Sequence, residues 1–191
     1  MINEVLSEAQ LSVSQLDVIG VTVGPGSFTG LRIGFATVQG LAFAADIPVV
    51  PVSTLQLMAV TYGRLVDAPS GTVVAPVLDA RMAEFNCAVY QIESASNLIV
   101  LEQDQLLSAA QTLAIIEQYP ASMVVGDAGP LIEESQFRTD NFRFVYPDAL
   151  DLLAIAESRL AQGRAQSVDS IDLVYLRGTE AWQKRKRIRA L

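Results

Sequence analysis

Gly24-Pro25-Gly26-Ser27-Phe28-Thr29-Gly30-Leu31-Arg32-Ile33-Gly34, entered from Asp17-Val18-Ile19-Gly20-Val21-Thr22-Val23, decides how the rest of the chain is read. Val18 to Val23 is short, β-branched and bounded by glycine and proline, which predicts a buried strand. Gly24-Pro25-Gly26 is a tight turn, and Ser27 stands where it can N-cap a helix running to about Ala45. Strand, glycine turn and helix N-terminus can together cradle an anion, so Gly24, Gly26 and Ser27 are candidates for an anion or nucleotide turn. An ordinary βα turn has the same shape. The spacing is not GxGxxG, and no P-loop lysine follows.

The helix is unusual in its glycines. Gly30, Gly34 and Gly40 lie inside it, each at a cost of roughly 1 kcal/mol against alanine. Gly30 and Gly34 share one face, and Ala36, Gly40 and Ala44 form a second row at the same spacing. Small-residue rows admit a second helix at close range. Phe28, Leu31, Phe35, Val38 and Leu41 add apolar side chains around most of the circumference. Such a helix needs cover on two sides, one from its own sheet and one from a further helix of this chain or another.

The same block, continued by Gly40-Leu41-Ala42 and Pro48-Val49-Val50-Pro51-Val52-Ser53-Thr54-Leu55, resembles the bacterial TsaB (YeaZ) family. Further matches are Asp79-Ala80-Arg81-Met82 with Glu84, Gly126-Asp127 with Gly129, and Val174-Tyr175-Leu176-Arg177, in the family's order and over most of the chain. The resemblance implies an α/β, two-lobe, actin-like ATPase fold (ASKHA, ribonuclease H-like). It implies a non-catalytic scaffold subunit of the complex that makes threonylcarbamoyladenosine in tRNA. In that complex the paralogue TsaD holds the metal and transfers the threonylcarbamoyl group, and the ATPase TsaE acts on the pair. The subunit itself would need no cofactor and no metal. It would meet TsaD through helices of its N-terminal lobe, form a homodimer through the same surface in isolation, and touch tRNA only indirectly. Ile2, Val5, Phe28, Gly30, Leu31, Arg32, Gly34, Phe35 and Gln39 are the expected interface. Family members begin with several strands bearing an Asp-Thr-Ser-type turn, and Met1 to Leu11 reads as the back half of the helix that follows them. The expectation is therefore a truncated or mis-started chain with an incomplete N-terminal lobe.

Composition narrows the chemistry. Of 191 residues, 51% are hydrophobic and 18% charged, enough for a real core and for apolar surface that seeks a partner. The longest apolar candidate, Phe35 to Val52, is broken by Gln39, Asp46 and two prolines, which argues against a membrane span. Met1-Ile2-Asn3-Glu4 lacks the basic start of a secretory signal. Cys87 is the single cysteine and suits a reducing cytoplasm. No histidine occurs, which removes His-based metal sites and Ser–His or Cys–His dyads together. A net charge of −8 disfavours the whole surface as a nucleic-acid binder, but Lys184, Arg185, Lys186, Arg187 and Arg189 gather 5 of the 13 basic residues at the end.

Along the chain, Pro48 to Val52 reads as a strand parallel to the first, and Ser53 caps a helix from Thr54 to about Val66. Asp67 to Gly71 is a turn-rich linker, giving an N-terminal lobe of residues 1–68, a C-terminal lobe of 69–171 and a C-terminal segment of 172–191. Thr72 to Leu78, Glu84 to Ile92 and Asn97 to Glu102 form an antiparallel meander. Asp104 opens a helix to Tyr119. Met123 to Gly126 is a strand, Pro130 to Glu134 a short helix and Phe142 to Val145 a strand. Pro147 starts a helix that ends near Gly163.

Several residues carry candidate chemistry. Asp79, Arg81 and Glu84 at a strand end can orient a ligand or simply fix a hairpin by ion pairing. Asp127 between Gly126 and Gly129 resembles a phosphate-side turn, and an Asx turn explains it as well. Ser27 lacks a base and suits capping. Cys87 reads as a small buried apolar group, and Tyr175 and Trp182 as anchors of the C-terminal segment. Two competing functions remain open. One is an actin-like nucleotide-binding hydrolase using Asp79, Asp127 and the Gly24–Gly26 turn. The other is a tRNA-binding adaptor led by the basic tail, whose affinity would fall with salt.

Overall fold

The computed structural model describes residues 1–129, 131 and 141–177. The short helix expected at Pro130–Glu134, Trp182 and the basic tail lie outside them, apart from Leu131. Among the described residues, seven strands form two sheets. β1 (Ile19–Gly24) and β2 (Val49–Ser53) pair in parallel, Ile19 opposite Val49, and α2 (Phe28–Ala45) makes the crossover. The second sheet has the order β5-β4-β3-β6-β7, built from β3 (Val73–Asp79), β4 (Glu84–Ser94), β5 (Asn97–Ser108), β6 (Met123–Asp127) and β7 (Phe142–Arg143). β3, β4 and β5 are the expected antiparallel meander, and β6 and β7 add in parallel to β3.

α3 (Thr54–Val66) holds the two sheets together. Leu55, Met58, Ala59 and Tyr62, spaced three and four apart, pack with Val74, Ala88, Tyr90 and Val125 of the second sheet. Leu57 and Val60 on the opposite face pack with Val50 and Val52 of the first. A helix apolar on two faces must be covered on both, and this one lies between two sheets. Ser53 caps it as expected, accepting from the backbone N–H of Leu55 and Gln56 at 3.1 and 3.2 Å. The Ser53 hydroxyl also donates to Asp104 at 2.5 Å, and Tyr90 donates to the other Asp104 oxygen at 2.6 Å, so one carboxylate links the sheets.

Three expectations change. The segment from Asp104 is strand, not helix, because β5 stays paired with β4 up to Glu84 opposite Ser108. Helix α4 (Ala109–Gln118) starts only there, with Ser108 and Gln111 forming a capping box. The last helix, α5 (Ala149–Ala161), is capped by Asp148, which accepts from the Leu150 N–H at 2.9 Å, so Pro147 precedes the cap instead of opening the helix. Ile155 and Ala156 of α5 pack with Val50 and Val52, so a helix expected with the C-terminal lobe lies on the sheet of the N-terminal one. Cys87, as expected, is fully buried, among Val77, Phe85 and Ile116.

Candidate partner interface

α2 has one wet side. Over its 18 residues only Phe35 and Ala42 are buried, seven positions apart and facing Val21, Val23 and Val49 of the sheet. Val168 and Ile171, from the segment after α5, complete that packing. Expected at the interface, Phe35 is 7% exposed and points inward instead. The remaining positions divide. Leu31 is half-buried, while Gly30, Arg32, Gly34 and Gln39 are exposed.

The most exposed apolar side chains on the helix are two that the small-residue rows did not single out. Ile33 is 65% and Phe43 77% exposed, and with Ala36 and Gly40 they make an exposed row at spacings of three, four and three. Three–four spacing of this kind also occurs where one helix packs on another, and it is legible in the sequence. Among the described residues, a Cβ added at Gly34 or Gly40 would meet nothing within 4 Å, so both positions stand open there. Ile2 and Val5 are also exposed, on α1 (Ile2–Glu8), a helix that buries no residue.

The first turn of α2 is pinned by the C-terminal segment. Ser27 accepts from the Gly30 N–H at 3.3 Å as the expected cap. The Phe28 and Tyr175 rings lie 5.5 Å apart, Arg32 sits 3.7 Å over the Phe28 ring, and Arg32 Nε donates to the Tyr175 hydroxyl at 3.0 Å. The Val174 N–H donates to the Val23 carbonyl at 2.8 Å. Tyr175 is thus an anchor, as read. The same segment covers the glycine turn. Gly24 has φ +118°, and a Cβ there would come within 2.6 Å of the Val174 carbonyl oxygen. Asp127 lies elsewhere, at the end of β6 in the second sheet, paired with Leu78. Gly126 beside it, at φ +113°, has no room for a Cβ against Met58 and the Val77 carbonyl.

The Asp79–Glu84 hairpin is closed by a partner that sequence reasoning did not assign. Asp79 accepts from the Arg81 backbone N–H at 2.7 Å and from its guanidinium at 3.2 Å. Glu84 pairs instead with Arg177 at 2.5 Å. Two of the motifs read separately in the sequence, the hairpin and Val174–Arg177, therefore form one structural unit. No helix among the described residues is long and apolar enough to cross a membrane.

The model of the family TsaD: tRNA N6-adenosine threonylcarbamoyltransferase matches residues 1–156. The tRNA threonylcarbamoyladenosine biosynthesis protein TsaB of Escherichia coli strain K12 is 32% identical, with 96% of this chain and 80% of that protein covered. Its Haemophilus influenzae counterpart is 33% identical over the same shares. The structure of YeaZ from Pseudomonas aeruginosa superposes with a TM-score of 0.81 at 30% identity, over 92% of this chain and 82% of that one. The fold is therefore the actin-like one expected. Relatives this similar along nearly the whole sequence, with a solved structure to match, mean that the chain belongs to the TsaB (YeaZ) branch of the family that the TsaD model describes.

Proposed function

We propose that this chain is a subunit of the assembly that makes threonylcarbamoyladenosine in tRNA, and that it supports a catalytic TsaD partner instead of making the bond itself. The observation that carries the reading is the open side of α2, where Ile33, Ala36, Gly40 and Phe43 line up beside the unfilled glycines. Burying two large apolar side chains stabilises a contact by about 1.5–3 kcal/mol each. The small residues let the incoming helix approach closely enough to gain that energy. Gly30, Arg32, Gln39, Ile2 and Val5 border the same contact, and a homodimer would use the same face until TsaD displaces it. TsaE then acts on the TsaD-bound pair, tRNA is met through TsaD, and the work is done in the cytoplasm.

The test is titration of the full chain with purified TsaD from the same source, wild type against Gly30→Leu/Gly34→Leu. A large loss of affinity in a variant with unchanged circular dichroism is expected. Undiminished binding by the folded variant would place the contact elsewhere. Splitting of ATP or modification of tRNA by the chain without TsaD would overturn the non-catalytic part.

A further inference from the structure

A cleft of about 410 Å³ opens between the end of α5 and the β4–β5 hairpin, and Ser53, Gln56, Asn97, Asp104, Arg159 and Arg164 stand on its walls. A second hollow of about 290 Å³ shares Arg159 and Arg164 with it. Arg159 is half-buried and donates to the Pro51 carbonyl at 2.6 Å and to Gln56 Oε1 at 2.8 Å, both neutral acceptors. Among the described residues, the Arg164 guanidinium has one polar side-chain contact, 3.4 Å to Gln162 Oε1. Among the described residues no carboxylate pairs with either guanidinium. Burial first, and then the charge of Arg164, lower the Arg159 pKa. Two cations on the wall of one cavity, one of them half-buried, repel each other, and an anion bound between them would offset that repulsion.

We propose that Arg159 and Arg164 bind the phosphoryl group of a small phosphate monoester. A dianion matches two guanidiniums and accepts their forked N–H groups, whereas a carboxylate supplies one charge for two. The rest of the molecule lies along the cleft, whose volume suits a small ligand. Asp104 sets what is tolerated there. Its oxygens already accept from Ser53 and Tyr90, so it repels a second anion but has lone pairs left for hydroxyl donors. A phosphorylated sugar has that polarity, with charge at one end and hydroxyls at the other. This site is separate from α2 and does not depend on the scaffold role.

Calorimetric titration of the full chain in chloride buffer with inorganic phosphate, ribose 5-phosphate, ribose and acetate tests the site. Saturable binding of both phosphates, tighter for ribose 5-phosphate, with none for ribose or acetate, is expected. Arg164→Gln should weaken phosphate binding about tenfold or more, the worth of a charge-assisted hydrogen bond, without lowering the unliganded melting temperature, because Arg164 is exposed and its charge only opposes that of Arg159. Arg159→Gln should abolish binding, its folding checked by circular dichroism because it also loses the contacts to Pro51 and Gln56. Absence of saturable binding by either phosphate, acetate binding as well as phosphate, or phosphate affinity indifferent to Arg164→Gln would each overturn the site.

Discussion

Arg177 reaches back to Glu84 and forms an ion pair at 2.5 Å, while the same guanidinium donates to the carbonyls of Ala80 and Arg81 at 3.0 and 3.2 Å. The turn it braces needs bracing. Arg81, Met82 and Ala83 follow one another at φ +69°, +59° and +58°, a left-handed run that non-glycine residues resist at roughly 1–2 kcal/mol each. Arg177→Ala should destabilise the protein by about 1–3 kcal/mol, the range for losing charge-assisted hydrogen bonds at a partly exposed site. Arg177→Lys should recover only part of this, because a single ammonium cannot serve a carboxylate and two carbonyls in fork geometry. Urea denaturation of the two variants checks it, and equal stability of Arg177→Ala and wild type would show that the turn holds itself.

Arg64 and Asp151 make a second long-range pair, between α3 and α5. Arg64 donates to both Asp151 oxygens at 2.7 and 3.0 Å, and the Asp151 side chain is only 5% exposed. Arg64→Met leaves that carboxylate desolvated and uncompensated. A drop in the urea midpoint is expected, moderated by solvent at Arg64, which is itself 37% exposed. Arg64→Met/Asp151→Leu should regain most of it, since the desolvated charge is then gone. A double variant no more stable than Arg64→Met would assign the loss to packing by the arginine stem instead.

These pairs mark where sequence reading stops. The β-α-β unit, the capping serines and the meander were legible because each rests on local pattern: apolar spacing, Ser27 and Ser53 before apolar runs, turn residues between strands. Asp104 to Leu107 was misread as helix because the deciding force is not local, being the ladder that joins Glu84 to Ser108. Phe35 was placed outside for a related reason. Helical periodicity reports which residues share a face, but Val168 and Ile171, which help bury that face, come from a distant segment. The row from Ile33 to Phe43 follows plain helical spacing, but exposure, which sequence does not report, is what sets it apart from the glycine rows beside it. Arg177 carried no local sign of its partner.

Alkaline instability should trace in part to Cys87. Burial, followed by the charges of Asp104 and Glu102, pushes its thiol up to about 12 from an ordinary 9.0. Burial and Asp104 raise the Tyr90 hydroxyl as well. The unfolded chain ionises these groups at their ordinary values and the folded chain resists. Their contribution is thus complete below about pH 9 and is lost as pH rises from there toward 12. The urea midpoint should fall across that window, and less steeply in Cys87→Ala. At pH 8 a thiol reagent should label Cys87 only after denaturant is added. Rapid labelling of the native protein, or an unchanged alkaline slope in Cys87→Ala, would contradict the buried, neutral thiol.

Gly34 and Gly40 set the stability of the isolated chain against its capacity to be covered. Their positions are empty out to 4 Å, neither has a positive φ, and both lie well inside α2. Gly34→Ala and Gly40→Ala should therefore each stabilise the isolated chain by about 0.5–1 kcal/mol through helix propensity alone. If the open face exists for another helix, the larger Gly34→Leu should fold as well as wild type and yet bind TsaD more weakly, because the added side chain holds the backbones apart. The opposite outcome for stability is also informative. Should Gly34→Ala weaken the chain in a concentration-dependent way, the glycine is already covered by a second copy, and the homodimer, not the open monomer, is the state from which TsaD must recruit it.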